Sequence, residues 1–512
     1  MSSTASPRKP PGRSRADGPA DESPGAPPGS VAELLQVAIP LIVSSGSLSL
    51  MHVVDRIFLT WLSVDALAAA MPAGMFHWTA LAFPYGVAIY TNTFVAQYHG
   101  AGRRDRVAAS LWQGIWLALA FGLALMIGAP FLSRLFSVLE HTPEVVRLES
   151  EYFAILCLGS APMLLSATLS TFFSGRGQNS TLMWVNLFSS LVNIGLDYVL
   201  IFGFGPFPKM GIRGAALATV IANVAACAAF AYMIRRTNRR ERYPFRAEQR
   251  LDAGLLRRML RFGLPNGVQF LVDIGAYLLL VLVIGRLGTV PLAATNLAFN
   301  LNSLAFIPMM GLGTAVLTIV GRRIGEGRPE IAARSVWRAH WLSLAYMFAF
   351  AVLYVLVPDW LLAPYALSPK DAAAAAEFEQ VRPVVTVLLR FVAAYAMFDA
   401  MAIVFGNGIR GAGDTRFSLV FTFLTGWFLM VVPSILAVQY AERLPNWGVL
   451  TMLSEQGASP SLWACWWAAT LNITVLGVGL LIRFQGGRWR TMRVIEAHPV
   501  PDSDAEIEAA VV

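Results

Sequence analysis

Residues 391–416 read FVAAYAMFDAMAIVFGNGIRGAGDTR. The first part is an apolar run of helix length that carries one carboxylate, Asp399, with Tyr395 four residues before it. This spacing places both side chains on one face of a helix. A carboxylate in such a run costs about 2.5–3.5 kcal/mol on insertion scales, so it normally faces a cavity or a partner. We predict a membrane helix whose carboxylate lies on an ion or substrate path, or is satisfied by a neighbouring helix, followed by a basic turn from Gly408 to Thr415.

The composition is that of a membrane protein. Of the 512 residues, 56% are hydrophobic and 14% are charged, whereas soluble domains carry about 25% charged residues. The net charge of +8 does not indicate a nucleic-acid partner, because the arginines lie mostly in short loops between apolar runs. The three cysteines lie in apolar runs without metal-ligand spacing, so we expect no disulfide framework, and no cofactor other than a coupling ion.

Twelve apolar stretches are long enough to cross a bilayer, which takes about 20 residues. We therefore predict an all-α polytopic membrane protein with twelve transmembrane helices. The predicted spans are approximately 34–62, 66–98, 107–137, 149–175, 181–204, 212–236, 257–286, 290–323, 331–361, 379–409, 415–440 and 461–485.

The charge of the loops predicts the orientation and the domain limits. Loops after the second, sixth, eighth and twelfth spans are rich in arginine and the alternate loops are not, so both termini are expected in the cytoplasm. A disordered tail is expected at each end. The predicted parts are a cytoplasmic tail at 1–32, a six-helix bundle at 33–236, a basic linker at 237–256, a second six-helix bundle at 257–486 and a cytoplasmic tail at 487–512.

The two halves of the chain resemble each other. A shift of 225 positions (265 − 40) aligns Pro40 with Pro265, and a shift of 234 (410 − 176) aligns Arg176 with Arg410. Six spans is an even number, so the halves share one orientation and are predicted to form two parallel bundles around a central cleft. Rocking of one bundle against the other gives alternating access, which favours a carrier over a channel or receptor.

The fifth span carries a polar stripe. Asn186, Asn193 and Asp197 follow at intervals of seven and four, so all three lie on one side of a helix. Two amides and a carboxylate in an apolar helix indicate a hydrated path or a cation ligand set. The alternative is an interhelical hydrogen-bond seam, which needs amides but has no need of a charge.

The second half has a polar cluster of its own. The seventh span carries Gln269 and Asp273, four residues apart, and the eighth carries Asn296 and Asn300, which with Gln269 could line a polar cleft. Together with Tyr395 and Asp399 these side chains offer carboxylate, carbonyl and phenol oxygens, hard ligands that suit sodium or a proton.

Several motifs in combination resemble the multidrug and toxic compound extrusion (MATE) family, in its NorM-like bacterial branch. The resemblance covers residues 34–485. It is carried by Asp55 in the first span, NIGLD at 193–197, GIRGAALAT at 211–219, GLP at 263–265 with an acid eight residues on, and Asp399 before GIRGAGDT at 408–415.

The resemblance implies a cation-coupled exporter of organic cations and drugs, multi-pass in the bacterial inner membrane, and we expect a monomer. It implies two sites for a proton or sodium. The implied residues are Asp55, Asn193 and Asp197 with Thr219 as a weaker candidate in the first half, and Asp273, Tyr395 and Asp399, where sodium is a candidate, in the second. Position 273 is Asp where this branch usually has Glu, which leaves the coupling ion open.

Three other classes share parts of this pattern. Gly411-Ala-Gly-Asp414 matches the Gly-x-Gly-Asp of intramembrane aspartyl proteases, but the chain has no Tyr-Asp dipeptide to supply the partner motif. A flippase for a lipid-linked amphiphile needs cations in the cleft to bind phosphate, and the intramembrane charges here are mainly acidic. A major-facilitator carrier also has two six-span halves, but its usual Gly-x-x-x-Asp-Arg-x-Gly-Arg-Arg loop is absent.

Overall fold

The structure, a computed structural model, describes residues 26–138, 141–366, 372–440 and 459–496. Within these ranges the chain forms helices joined by short connections, and no residue lies in a β-strand. Most of the two predicted tails, at 1–32 and 487–512, falls outside the described residues.

Sixteen α-helices are described. In chain order they are α1 Val31–Leu62, α2 Val64–Ile89, α3 Thr91–Gly100, α4 Arg104–Leu132, α5 Pro143–Leu158, α6 Ser160–Ser174, α7 Asn179–Phe202, α8 Ile212–Glu241, α9 Ala253–Gly285, α10 Thr289–Gly325, α11 Pro329–Leu356, α12 Pro358–Ala366, α13 Ala372–Ala412, α14 Thr415–Thr425, α15 Val432–Gln439 and α16 Pro460–Gln485.

These helices give the predicted number of membrane spans. Eleven helical segments are long and apolar enough to cross a bilayer, with α2 and α3 together forming one of them and α14 and α15 another. The pair α5 and α6 is bent by 43° and is a twelfth when taken as one span. The prediction of an all-α membrane protein with twelve spans is therefore confirmed.

Close packing at glycines holds the helices together. A Cβ placed on Gly122 would lie 2.4 Å from the Ala161 Cα, and one on Gly477 would lie 2.4 Å from the Phe398 backbone oxygen. Such backbone contact is the usual basis of helix association in lipid, where no hydrophobic effect drives helices together.

The two bundles, α1–α8 and α9–α16, meet along α1, α2 and α3 on one side and α9 and α10 on the other. Gly86 of α2 faces Gly267 of α9, and a Cβ on Gly86 would lie 2.7 Å from the Gly267 Cα. A Cβ on Gly311 of α10 would lie 2.8 Å from the backbone nitrogen of Ile42 of α1. We call the end of the molecule that holds the α3–α4, α8–α9 and α10–α11 connections and the segment after α16 the arginine-rich end.

The predicted turn at Gly408–Thr415 is shorter than expected. Helix α13 continues to Ala412, and the chain turns only at Gly413, whose φ is 116°, and Asp414. Gly411 lies inside the helix and packs against α10. A Cβ on Gly411 would lie 2.5 Å from the Leu317 backbone oxygen. This glycine therefore permits a close approach of two helices rather than a turn.

The turn also corrects the alignment of the two halves in this region. In the first half α7 begins at Asn179, after Gly177 with φ 76°. In the second half α14 begins at Thr415, after Gly413. The corresponding shift is 236 (415 − 179) rather than 234, so Arg176 and Arg410 are not equivalent positions.

Each end of the described chain contacts the opposite bundle. Glu33 in the first turn of α1 binds Arg323 of α10, and the Gly29 backbone oxygen accepts a hydrogen bond from Arg338 of α11. After α16, Val494 is buried and Glu496 is ion-paired. The predicted disorder of the C-terminal tail was therefore wrong for residues 494–496, because they have specific partners.

Candidate functional site

The first bundle holds two interacting carboxylates within its membrane spans. Asp55 lies on α1 and Asp197 on α7, two helices that pack against each other, and the charge of Asp55 acts on Asp197. In each carboxylate the Oδ1 atom is buried and has no hydrogen-bond partner among the described residues. Buried acceptors without a donor are uncommon in proteins, and a proton or a small cation would satisfy them.

Asn193 lies one turn before Asp197 and is buried. With its amide nitrogen toward the carboxylate, Nδ2 donates to Asp197 Oδ2 at 3.0 Å and Oδ1 accepts from the Thr219 backbone N–H at 3.2 Å. This orientation satisfies both ends of the amide, which is the basis on which amide orientations are assigned. The residues implied for the first site thus meet where α1, α7 and α8 pack together.

Two further residues border this site. The charges of both Asp55 and Asp197 act on the buried phenol of Tyr152 on α5. The sequence analysis missed Tyr152, since no spacing or motif connects it to spans one and five. Asn186, one end of the predicted stripe, donates to Ser44 Oγ at 2.6 Å, so its amide forms part of a seam between α7 and α1.

The second bundle presents Asp273 to an internal space. The side chain is surrounded by protein atoms near the middle of α9 but remains accessible to solvent, so it borders a cleft. The charge of Arg410, near the end of α13, acts on it. Gln269, one turn earlier, donates to Thr422 Oγ1 of α14 at 3.3 Å, while its own Oε1 is buried with no partner in the described part of the chain.

Asp399 and Tyr395 lie one turn apart on α13, with Tyr395 buried and Asp399 half-buried. The Tyr395 phenol interacts electrostatically with Asp399. It also interacts in this way with Tyr354 of α11 and Tyr277 of α9. Tyr277 is itself one turn beyond Asp273. The second set of polar groups is therefore distributed over α9, α11 and α13.

The remaining predicted cleft residues, Asn296 and Asn300, are exposed and one turn apart on α10. In the ranges that the structure describes, no three His, Cys, Asp or Glu side chains are grouped for a metal ion. The ligands offered in both bundles are carboxylate, amide and phenol oxygens, which suit a proton or an alkali cation better than a transition metal.

Hydrogen bonds between the bundles cluster toward the arginine-rich end. The Asn92 amide donates to Thr318 Oγ1 at 2.9 Å. Gln97 Nε2 donates to the Gly411 backbone oxygen at 3.0 Å. Tyr90 donates to the Arg410 backbone oxygen at 3.0 Å. Because α3 lies against α10 and the end of α13 here, the bundles are in contact at this end.

Glu496 adds a charged contact at the same end. It accepts hydrogen bonds from Tyr98 at 2.6 Å and Arg106 at 2.8 Å, both of the first bundle, and from Arg258 of the second. Burial opposes ionisation of Glu496, but the hydrogen bonds from Tyr98 and Arg106 and the charge of Arg258 outweigh it and lower the pKa to about 2. The side chain is therefore a carboxylate at neutral pH and links the two bundles.

The family model MatE matches this chain twice, at residues 40–199 and 265–436. The two matches together cover more than half of the 512 residues. The chain belongs to the MatE family. The matches begin at Pro40 and Pro265, the two prolines that the predicted repeat aligns. Membership makes the chain a membrane transporter and not an enzyme. Asp414, the acid of the protease-like motif, forms an ion pair with Arg483 at 2.7 Å.

Curated relatives of this MatE protein align over nearly the whole chain. It is 30% identical over 473 residues to a probable multidrug resistance protein NorM of Pseudomonas putida, covering 92% of this chain and 96% of that protein. A probable multidrug resistance protein NorM of Thermotoga maritima is 24% identical over 478 residues. The alignment covers 92% of this chain and 95% of that protein.

Solved structures have the same fold. One, described as the outward-facing conformation of a multidrug resistance MATE family transporter of the MOP superfamily, has a TM-score of 0.77 at 19% identity and covers 90% of this chain and 97% of its own. A MOP superfamily transporter from Pyrococcus furiosus, whose structure is described by a reverse polarity of its binding pocket, has a TM-score of 0.76 at 20% identity, with 90% and 97% covered.

Proposed function

We propose that this MatE-family chain exports organic cations from the cytoplasm in exchange for sodium or protons, by alternating access between its two bundles. The observation that carries the proposal is the pair Asp55 and Asp197, two interacting carboxylates within membrane spans whose Oδ1 atoms have no hydrogen-bond partner in the described residues. Such groups are costly in a bilayer and mark ion paths. Relatives named as multidrug resistance proteins support the export of drugs.

The coupling ion would bind these oxygens. When a proton or sodium occupies the Asp55 and Asp197 pair, it offsets the repulsion between two negative charges and favours the closer packing of α1 and α7. When the ion leaves, the repulsion returns. The membrane potential supplies about 2.3 kcal/mol per charge per 100 mV, which is enough to drive uphill export when ion entry is linked to a change in bundle packing.

The second bundle would contribute to substrate binding. Asp273 is accessible from the internal cleft, and Tyr277 lies one turn further along α9. A carboxylate beside an aromatic ring is a suitable site for an organic cation, through charge and cation–π attraction. A flippase cargo would instead need a cation free to bind phosphate, and the charge of Arg410 is already opposed by that of Asp273.

The contacts at the arginine-rich end support an alternating-access cycle. We place this end in the cytoplasm, with both termini, on the basis of its arginine content. The bonds made by Gln97, Asn92 and Glu496 would then close the cytoplasmic side, and the bundles must break them to open inward. Since both bundles belong to one chain, a monomer is a sufficient transport unit.

The test is transport by the purified protein in liposomes with the fluorescent cation ethidium. Sodium and proton gradients are imposed separately. We expect one of them to drive ethidium movement and the variant Asp197→Asn to lose it, with Asp65→Asn, an exposed acid at the start of α2, as the matched control. The proposal would be refuted if ethidium moved as fast without either gradient as with one imposed. Unchanged transport by Asp197→Asn would refute it as well.

A further inference from the structure

Four arginines line a cavity of about 550 Å³ at the arginine-rich end, away from both polar sites. Arg257, Arg258 and Arg261 lie in the first turns of α9, and Arg416 lies in the first turn of α14, which packs against α9. Four guanidinium groups around one cavity repel each other, so the cavity is suited to an anion.

Three of these arginines have no acidic partner among the described residues. Arg258 binds Glu496, whereas Arg257, Arg261 and Arg416 are exposed and form no ion pair with any residue that the structure describes. Some other arginines at this end are paired, as Arg106 is with Asp252 at 2.8 Å and Arg323 with Glu326 at 2.7 Å. Three exposed positive charges without an acidic partner in the described residues therefore line this cavity.

An apolar stripe leads from each group of arginines into the membrane. On α9, Arg257 and Arg261 continue at intervals of three and four into exposed apolar residues. On α14 the same occurs after Arg416. The exposed stripe residues are Leu264, Val268 and Leu271 on α9 and Val420, Phe423 and Leu424 on α14.

We propose that the cavity binds the phosphate of an anionic phospholipid whose acyl chains lie along these two stripes. Basic pockets between membrane helices on the cytoplasmic side are a known means of holding anionic headgroups. The stripes favour a lipid over free phosphate, since a free ion has no use for them. Arg258 joins the cavity to Glu496, so the bound headgroup lies next to a contact that links the two bundles.

The experiment is native mass spectrometry of the purified full chain in detergent. The probes are phosphatidylglycerol, phosphatidylcholine and inorganic phosphate, added separately and in competition. The variant is Arg257→Gln, Arg261→Gln, Arg416→Gln, which leaves Arg258 in place. The matched control is Arg235→Gln, Arg239→Gln, Arg240→Gln, which removes the same charge from exposed arginines near the end of α8.

We expect retention of phosphatidylglycerol but not phosphatidylcholine, and at least about tenfold weaker retention in the cavity variant than in the control. Equal retention in the two variants would overturn the proposal, as would displacement of the lipid by equimolar inorganic phosphate. Because residues 497–512 are acidic, a chain ending at Glu496 is also measured. If only that shortened chain retains lipid, the cavity is occupied by the protein's own tail and the proposal fails.

If the triple variant does not fold, the single changes Arg257→Gln and Arg416→Gln replace it, one on each helix. Each is expected to weaken retention several-fold, and no effect from either would again overturn the lipid site.

Discussion

Arg106 Nη2 lies 2.8 Å from Glu496 Oε1, although 390 positions separate the two residues. Arg106 lies in the first turn of α4, the third span of the first bundle. Glu496 follows the last span of the second bundle. The chain therefore returns after α16 to the bundle in which it began. A transporter that opens and closes at this end must break and remake that contact.

Loss of the Glu496 carboxylate should destabilise the folded protein. In Glu496→Gln we expect a lower thermal unfolding midpoint in detergent, from the loss of about 1.5–3 kcal/mol of charged hydrogen bonding. The pKa of Glu496 is lowered from 4.5 to about 2, so its stabilisation is fully present above pH 4.5 and is lost as the pH falls towards 2. The difference between wild type and variant should shrink over that range.

The control for this prediction is Glu330→Gln. Glu330 also faces an arginine, Arg490, at 3.5 Å, but its side chain is 71% exposed. Exposed single pairs contribute about 0–1 kcal/mol, so little change is expected. A midpoint difference for Glu496→Gln that does not depend on pH would contradict the role given to the carboxylate.

Added bulk where the bundles meet should open the arginine-rich end. A Cβ on Gly325 would lie 2.0 Å from the Gln97 backbone oxygen, so Gly325→Ala forces α10 away from α3. We expect faster labelling of Thr93→Cys, which is fully buried here, by a water-soluble thiol reagent, in a background without native cysteines. Gly74→Ala, where a Cβ meets nothing within 4 Å, is the matched control. Unchanged labelling would mean that the bundles tolerate the methyl without separating.

The two carboxylates of the first bundle should act as a unit. We expect Asp55→Asn and Asp197→Asn each to reduce ethidium export in cells by at least about tenfold at normal expression. Their double variant should be little worse than either, because each single change already removes the interacting pair. If the double variant instead lost export by the product of the two single-variant factors, the two carboxylates would act as independent sites.

The charge of Asp273, rather than its length, should matter in the second bundle. Because the side chain borders an open cleft, Asp273→Glu has room for one more methylene and should retain most export. Asp273→Asn keeps the shape but removes the attraction for a cation, so it should raise the substrate concentration needed for half-maximal transport. If Asp273→Glu lost more export than Asp273→Asn, the geometry of the side chain rather than its charge would dominate at this position.

Local patterns in the sequence were sufficient for the architecture. Apolar stretches of the length of a bilayer must become helices there, because lipid leaves no other partner for backbone hydrogen bonds. The spacing of Asn193 and Asp197 on one helix likewise follows from helix geometry alone. The repeat that aligns Pro40 with Pro265 was visible because two similar bundles need similar sequences.

Contacts between distant segments required the tertiary structure. The sequence spacing carries no marker for the charge effects of Asp55 and Asp197 on Tyr152 or of Arg410 on Asp273. It carries none for the position of Glu496 between the two bundles either. The role of Gly411 was misread for the same reason, since only the position of α10 shows that this glycine permits close packing rather than a turn. The periodicity of a helix determines which residues share its face, but the packing of other helices decides what that face meets.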